Sequence, residues 1–141
     1  MSVGEILSGK GNDVFTVDPE ATVAEIASTL AKHKIGALVV LNKGSVCGIV
    51  SERDLVRHLA QDGHQALDDA VAKCMTSSVI SCERADTIDT VMEKMTAGRF
   101  RHLPVIEDGE LLGIISIGDV VKRKIEQAER DAEELKRYIA S

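Results

Sequence analysis

Two serine–aspartate pairs are the residues in this chain best suited to binding chemistry. Ser51 precedes Asp54 and Ser116 precedes Asp119, each pair directly after an apolar segment that contains glycine. At a helix start, such a pair caps free N–H groups and contributes about 1 kcal/mol. The same groups suit a ribose phosphate, because a carboxylate can accept both vicinal hydroxyls and an anion can bind at the helix N-terminus. From the residues alone, capping and ribose-phosphate binding both remain open.

The two pairs have different cationic neighbours. Arg53 lies within the first pair, whereas Gly118 occupies the corresponding place in the second. Conversely, Arg101 and His102 stand where the first copy has only the small residues Gly36-Ala37. Because a charged donor strengthens hydrogen bonds to phosphate, we expect two non-equivalent anion sites. The alternative is that these cations are solvated surface residues. Two further cations occupy equivalent positions in the copies, Lys34 and Arg99.

An internal repeat positions both pairs. Residues 14–56 align with residues 79–121 without a gap, at an offset of 65. Each copy has the pattern strand, helix, strand, strand, helix, with a capping threonine before its first helix and a glycine-containing hairpin turn. In the first copy we expect Gly36 to end the first helix, and in the second we expect residues 79–82 to form a strand. Self-similarity of this kind predicts two packed units related by pseudo-two-fold symmetry, with a mixed α/β (α+β) fold.

Composition narrows the possible functions. The 141-residue chain has a net charge of −6, which argues against nucleic acid as the main partner. It has no apolar run long enough for a membrane span and no signal-peptide pattern, so we expect a cytoplasmic protein without a membrane partner. The cysteines Cys47, Cys74 and Cys82 suggest reduced thiols. The four histidines show no spacing typical of metal ligands, and no catalytic motif appears, so we expect neither a metal site nor an enzyme.

The C-terminal helix continues well beyond the second repeat. After Asp119, apolar residues recur at alternating spacings of four and three, as in a heptad pattern. Three interpretations stay open: packing along the chain's own domain, a dimer contact or docking surface, and a frayed tail. The stripe consists of Val121, Ile125, Ala128, Ala132, Leu135 and Ile139.

The repeated hairpin and helix, ending in Gly, two apolar residues and Ser-x-x-Asp, resembles the cystathionine-β-synthase (CBS) motif. The whole chain looks like a stand-alone bacterial CBS pair. The resemblance implies a Bateman-type module with motif 1 and its lead-in over residues 1–62, a connector at 63–78, motif 2 at 79–122 and a helical extension at 123–141. It also implies adenosine ligands such as AMP, ATP, NAD(H) or S-adenosylmethionine in two clefts, together with a homodimer and a regulated partner protein.

Site residues follow from the resemblance position by position. One cleft would use the strand entry, the first Ser–Asp motif and the segment before the second repeat: Ile35, Gly36, Ala37, Ser51, Arg53, Asp54, Met75, Thr76, Val79 and Ser81. The other cleft would use the corresponding residues of the second motif and of the N-terminal segment: Lys10, Gly11, Val14, Thr16, Phe100, Arg101, His102, Pro104, Ser116 and Asp119. In this scheme backbone groups recognise adenine, aspartate holds ribose, and serine with basic residues meets phosphate.

Two other functions remain possible at this stage. One is a ligand-free interaction or dimerisation scaffold, in which the Ser–Asp pairs only cap helices. The other is a weak nucleotide hydrolase or transferase, although an acidic metal-binding pair beside the phosphate end is missing. A sensor that binds an adenine nucleotide explains the repeat, the Ser–Asp pairs and the cations beside them together.

Overall fold

A computed structural model describes residues 1–11 and 13–140; Asn12, within the predicted first motif, and Ser141, within the predicted extension, lie outside the described residues. The secondary structure mixes helices with short strands, as predicted. Its elements are α1 (Val3–Lys10), β1 (Thr16–Val17), α2 (Val23–His33), β2 (Ala37–Asn42), β3 (Ser45–Ser51), α3 (Glu52–Asp62), two 3-10 helices (Gly63–Asp68 and Val71–Lys73), α4 (Ile88–Gly98), β4 (His102–Glu107), β5 (Glu110–Ser116) and α5 (Ile117–Ala140).

The two repeats have matching hairpins. Strands β2 and β3 pair antiparallel, as do β4 and β5, and each pair shifts register at the equivalent position. The turns Lys43-Gly44 and Asp108-Gly109 have positive φ at both residues, which is the geometry of the tight turn that suits twisted strands. Parallel pairing of β1 with β2 completes a three-stranded sheet in the first repeat.

Two local expectations are wrong in detail. The first helix of each repeat ends before Gly36 and its counterpart, because Lys34 and Arg99 adopt left-handed conformations with φ of 54° and 57°. Each of these residues caps its helix through a backbone N–H. The extended segment 79–82 also contributes less than a full strand, since its pairing is one parallel bridge from Cys82 to Val105.

The N-terminal helix packs on the second repeat rather than on the first repeat that follows it in sequence. Val3, Ile6 and Leu7 of α1 are buried in one core cluster with Leu103 and Ile115. The first repeat is completed instead by the connector, whose Val71 is buried with Val23, Ile26 and Leu38. Ile6 and Val71 are themselves related by the 65-residue offset. The structural repeat therefore begins upstream of the segment that sequence identity defines.

Helix α5 extends beyond the folded body. Its first turns contact α4 and β5, and Val120 is buried. From residue 127 to residue 140, every residue is exposed. This segment therefore does not pack along its own domain. Among residues 1–11 and 13–140, no helix combines the length and apolar character that crossing a membrane requires.

Candidate functional site

One cavity of about 340 Å³ opens between the two repeats. It lies where β3 runs into α3 and where the end of α4 leads into β4. The lining residues come from both repeats and from the connector: Gly36, Ala37, Ile49, Ser51, Glu52, Arg53, Asp54, Arg57, Thr76, Ser78, Ile80, Gly98, Arg99, Phe100, Arg101 and His102.

The cavity combines residues that the sequence assigned to different clefts. Of the first predicted set, six residues line it: Gly36, Ala37, Ser51, Arg53, Asp54 and Thr76. Phe100, Arg101 and His102 were predicted for the second cleft, yet they line this same cavity. The structure therefore brings that segment to the cavity of the first predicted set, and its part in a second cleft stays a prediction. Its strand entry lies beside that of the first repeat, where Gly36 and His102 are in close contact.

The rest of the first predicted set lies around the cavity rather than along it. Ile35 and Met75 pack against the hydrophobic core of the first repeat. Val79 is half-buried, and the Ser81 carbonyl accepts a hydrogen bond of 2.8 Å from Lys94 Nζ. Their contribution to ligand binding stays a prediction.

Ser51 and Asp54 form a reciprocal cap at the start of α3. The Ser51 N–H donates to Asp54 Oδ2 at 2.9 Å, and the Asp54 N–H donates to Ser51 Oγ at 3.4 Å. The capping interpretation is thus present in the structure. It occupies one carboxylate oxygen, while Asp54 Oδ1 has only a long contact of 3.5 Å with the largely exposed Arg57. A ligand hydroxyl can replace so weak a contact, so capping and ribose binding are compatible.

Guanidinium groups dominate the charge of the cavity. Arg53, Arg57, Arg99 and Arg101 line it, against the carboxylates Glu52 and Asp54. Arg53 Nη1 donates to the Arg99 carbonyl at 3.2 Å, which holds its side chain across the junction of the repeats. A locally positive concave surface on a chain of net charge −6 focuses anions. Arg57 and Arg99 extend the cation set beyond the predicted binding residues. Arg57 follows Arg53 by about one helical turn, a spacing that could have indicated it.

Close contact between Gly36 and His102 joins the two strand entries. A Cβ atom at Gly36 would lie 2.9 Å from His102 Cε1, so a larger residue there would displace the imidazole. Burial lowers the pKa of His102, although Glu52 partly opposes that effect. The imidazole is therefore neutral near pH 7, and Arg101 is the cation of this segment.

A lysine from α1 contacts the aspartate of the second Ser–Asp motif. Lys10 Nζ lies 2.7 Å from Asp119 Oδ2 and donates to the Ile114 carbonyl at 3.0 Å. Burial raises the pKa of Asp119, but hydrogen bonds from Lys10 and Ser116 outweigh this effect and hold the pKa below its usual range. In the first repeat the residue equivalent to Lys10 is Met75. The ammonium group shares Asp119 Oδ2 with the Ser116 N–H, so a second ribose would meet a carboxylate that is already paired with a cation.

Other residues of the second predicted set are dispersed. Gly11 and Thr16 are exposed, Val14 is half-buried, and Pro104 is buried within β4, where its carbonyl accepts from the Cys82 N–H. Neither the cavity between the repeats nor a smaller one beside Met1 and Arg123 is lined by them or by Ser116. The structure thus makes the two Ser–Asp motifs unequal, although in a different way from the predicted difference in cations.

His58 does have carboxylates within reach, contrary to the expectation from sequence. Its Nε2 lies 2.9 Å from Asp69 Oδ2 and 3.6 Å from Asp62 Oδ2, the latter one turn further along α3. Lys73 adds a cation 3.6 Å from Asp69. With a strong hydrogen bond and a neighbouring ammonium group, the cluster is explained as a link between α3 and the connector.

The three cysteines lie in or beside the hydrophobic cores of the two repeats. Cys47, Cys74 and Cys82 are free. Burial, with a smaller contribution from Asp86, raises the pKa of Cys82 to about 12. Because the thiolate is the reactive form, this cysteine is a core residue.

The duplicated hairpins, the capped helix starts and the cavity between the repeats define a tandem α+β module. The sequence profile of the CBS domain matches residues 3–61 and 71–126, so the chain belongs to the CBS domain family. A CBS-domain protein of Agrobacterium tumefaciens, ATU1752, has a similar structure: TM-score 0.86, 50% identity, 88% of this chain and 99% of that chain covered.

Two similar structures contain adenosine compounds. The Pyrobaculum aerophilum CBS protein PAE2072, complexed with AMP, is 31% identical with a TM-score of 0.75, covering 84% of this chain and 89% of its own. The CBS domain pair of protein MJ0100, in complex with 5′-methylthioadenosine and S-adenosyl-L-methionine, is 25% identical with a TM-score of 0.80, covering 90% of this chain and 98% of its own.

Proposed function

We propose that this chain is a regulatory module that binds an adenine nucleotide in the cavity between its repeats. The observation that carries the proposal is the convergence of Asp54 with four arginines on one cavity. Asp54 Oδ1 would accept the ribose hydroxyls, and the arginines would bind phosphate by charge-assisted hydrogen bonds. The adenosine ligands of PAE2072 and MJ0100 support the same chemistry.

The charge of the cavity favours some adenosine compounds over others. AMP, ATP and NAD(H) all carry negative phosphates, which the arginine set would attract. S-adenosylmethionine has no phosphate and a net charge of about +1 near pH 7, because its sulfonium and ammonium groups outnumber its one carboxylate, so the arginine set would attract it less. We therefore infer a preference for phosphorylated adenosines.

The proposed mechanism is a shift between arrangements of the two repeats. A nucleotide that touches both Arg53 and Arg101 binds tightly only when the repeats hold these residues together. Such a ligand shifts the population toward that arrangement by its difference in affinity. The readout would pass to a homodimer partner or to another protein, and the cavity would act by binding rather than by catalysis.

A panel of ligands tests this function. Isothermal titration calorimetry with adenosine, AMP, ATP, NAD and S-adenosylmethionine should show binding that strengthens with phosphate content, and ATP should remain intact during incubation with Mg²⁺. A ligand at a hundred times its dissociation constant should add about 2.7 kcal/mol of stability in parallel thermal unfolding. No binding across the panel would leave the scaffold interpretation, and release of phosphate would favour the enzyme.

Replacing Lys10 with methionine should open a second site. Lys10→Met copies the first repeat, where Met75 occupies the equivalent position, and it removes the ammonium group that is paired with the Asp119 carboxylate. We expect AMP titrations to change from one bound ligand per chain to two, the second being weaker because Gly118 stands where the first motif has Arg53. Lys10→Arg keeps the cation and serves as the control. One bound AMP in Lys10→Met would show that Lys10 is not what closes the second motif.

A further inference from the structure

Helix α5 has an apolar stripe that faces solvent. Along it, Val121 is 46% exposed, Ile125 54%, Leu135 60% and Ile139 75%. Ala128 and Ala132 continue the stripe between them and are exposed as well. The match to the CBS profile ends at residue 126, so most of this stripe lies beyond the family module. An exposed, regular apolar face of this kind is typical of a helix with a partner helix.

The stripe follows a heptad pattern. Its spacing places Ile125, Ala132 and Ile139 at a positions, and Val121, Ala128 and Leu135 at d positions. The charged residues beside the seam then fall at the e positions, Lys122, Glu129 and Lys136, and at the g positions, Lys124 and Asp131. These flanking charges set partner and orientation in coiled coils.

Charge pairing distinguishes the two orientations of a pair of identical α5 helices. In a parallel, in-register pair, each g residue faces the e residue five positions further along its partner. Lys124 then meets the partner's Glu129, and Asp131 meets the partner's Lys136. All four contacts across the two-fold axis join opposite charges.

In an antiparallel pair, the flanking charges that face each other have the same sign. When the apolar stripes overlap fully, Lys122 faces the partner's Lys136, Glu129 faces the partner's Glu129, and Asp131 faces the partner's Asp131. All of these contacts between charged residues join like charges, which disfavours that orientation.

We propose that α5 forms a parallel, in-register coiled coil with α5 of a second copy of this chain. Ala128 and Ala132 allow the two helices to approach closely at the middle of the seam. Lys124 already contacts Asp89 of its own chain at 2.5 Å, so the Asp131–Lys136 pair is the cleaner one to test. Gln127 Nε2 donates to Asp131 Oδ1 at 3.0 Å along the same helix, which leaves the second carboxylate oxygen for the partner.

Two single charge reversals test the pairing. Asp131→Lys gives a homodimer with lysines facing lysines, and Lys136→Asp gives one with aspartates facing aspartates. By sedimentation velocity of the full chain, we expect each variant to dimerise about tenfold more weakly than wild type, because two exposed pairs per dimer change from attraction to repulsion. An equimolar mixture should recover wild-type association, since its heterodimer restores opposite charges. A monomeric wild type at about 100 µM, or reversals without effect, would overturn the proposal.

Cysteine cross-linking tests the orientation. In the parallel pair Leu135 faces Leu135 of the partner subunit, so Leu135→Cys should form an intermolecular disulfide rapidly under copper-phenanthroline oxidation. Arg137→Cys, on the outer face two residues away, is the matched control and should react at least tenfold more slowly. Wild type under the same oxidant reports any contribution from the native cysteines. Equal rates for the two variants would overturn the parallel arrangement, as would rapid cross-linking only when Ile125→Cys is paired with Leu135→Cys.

Discussion

A variant carrying both Arg53→Ala and Arg101→Ala is expected to bind ATP about a hundredfold more weakly than wild type. Both guanidinium groups line the cavity, one from each repeat. Charge-assisted hydrogen bonds contribute about 1.5–3 kcal/mol each, and the exposure of these two side chains places them at the lower end. Two such losses correspond to roughly two powers of ten in the dissociation constant. Titration calorimetry at fixed ionic strength measures the change.

Adenosine separates phosphate contacts from damage to the cavity. Because adenosine lacks phosphate, its affinity should change by less than about threefold in the same variant. A double variant at Lys32 and Arg130, both exposed and outside the cavity, removes the same net charge and controls for long-range attraction. Equal losses for ATP and adenosine would remove the proposed phosphate role of the arginines. Equal losses of ATP affinity in the test and control variants would show that the arginines act only through long-range electrostatic attraction.

The hairpin turns and helix starts of this fold could be predicted from the sequence, because neighbouring residues determine them. The hairpin turns needed positive φ at Lys43-Gly44 and Asp108-Gly109, and the helix starts needed a hydroxyl followed by a carboxylate. Helix α1 also carried such local information, since Ser2 caps it through the Glu5 N–H. Its apolar residues at positions 3, 6 and 7 follow a helical period. We did not predict α1, although that pattern favoured it.

The arrangement of the two repeats relative to each other could not be predicted from neighbouring residues. Nothing in the spacing of Val3, Ile6 and Leu7 indicates that they pack on strands about a hundred residues away. The Gly36–His102 contact is likewise a tertiary contact, and Phe100, Arg101 and His102 line the same cavity as Asp54. The resemblance, rather than the spacing, placed Lys10 in one cleft with Asp119, and the structure brings its ammonium group to that carboxylate across 109 positions. Distances of this kind depend on how the two units meet, which the repeat alone leaves undetermined.

Replacing Ile6 with alanine is expected to destabilise the chain by about 3 kcal/mol. Ile6 is only 2% exposed and lies in the core of the second repeat, so the substitution leaves a cavity that the packed strands cannot fill. Urea unfolding followed by circular dichroism measures the loss. Val71→Ala, at the equivalent position of the first repeat, should cost somewhat less because a smaller side chain is removed. Val56→Ala, at a residue 66% exposed, should stay within about 0.5 kcal/mol of wild type.

The stability of Ile6→Ala also tests how α1 relates to ligand binding. If Ile6→Ala cost less than about 1 kcal/mol, α1 would not be part of the second core, and the packing described for it would be wrong. If the cost is as expected, the same helix that completes the second core also carries Lys10 to Asp119. A partly detached α1 would then free Asp119, so Ile6→Ala should show weak binding of a second AMP per chain. Stability and binding stoichiometry would change together, because the residues that hold α1 and the residue that closes the second motif lie on one helix.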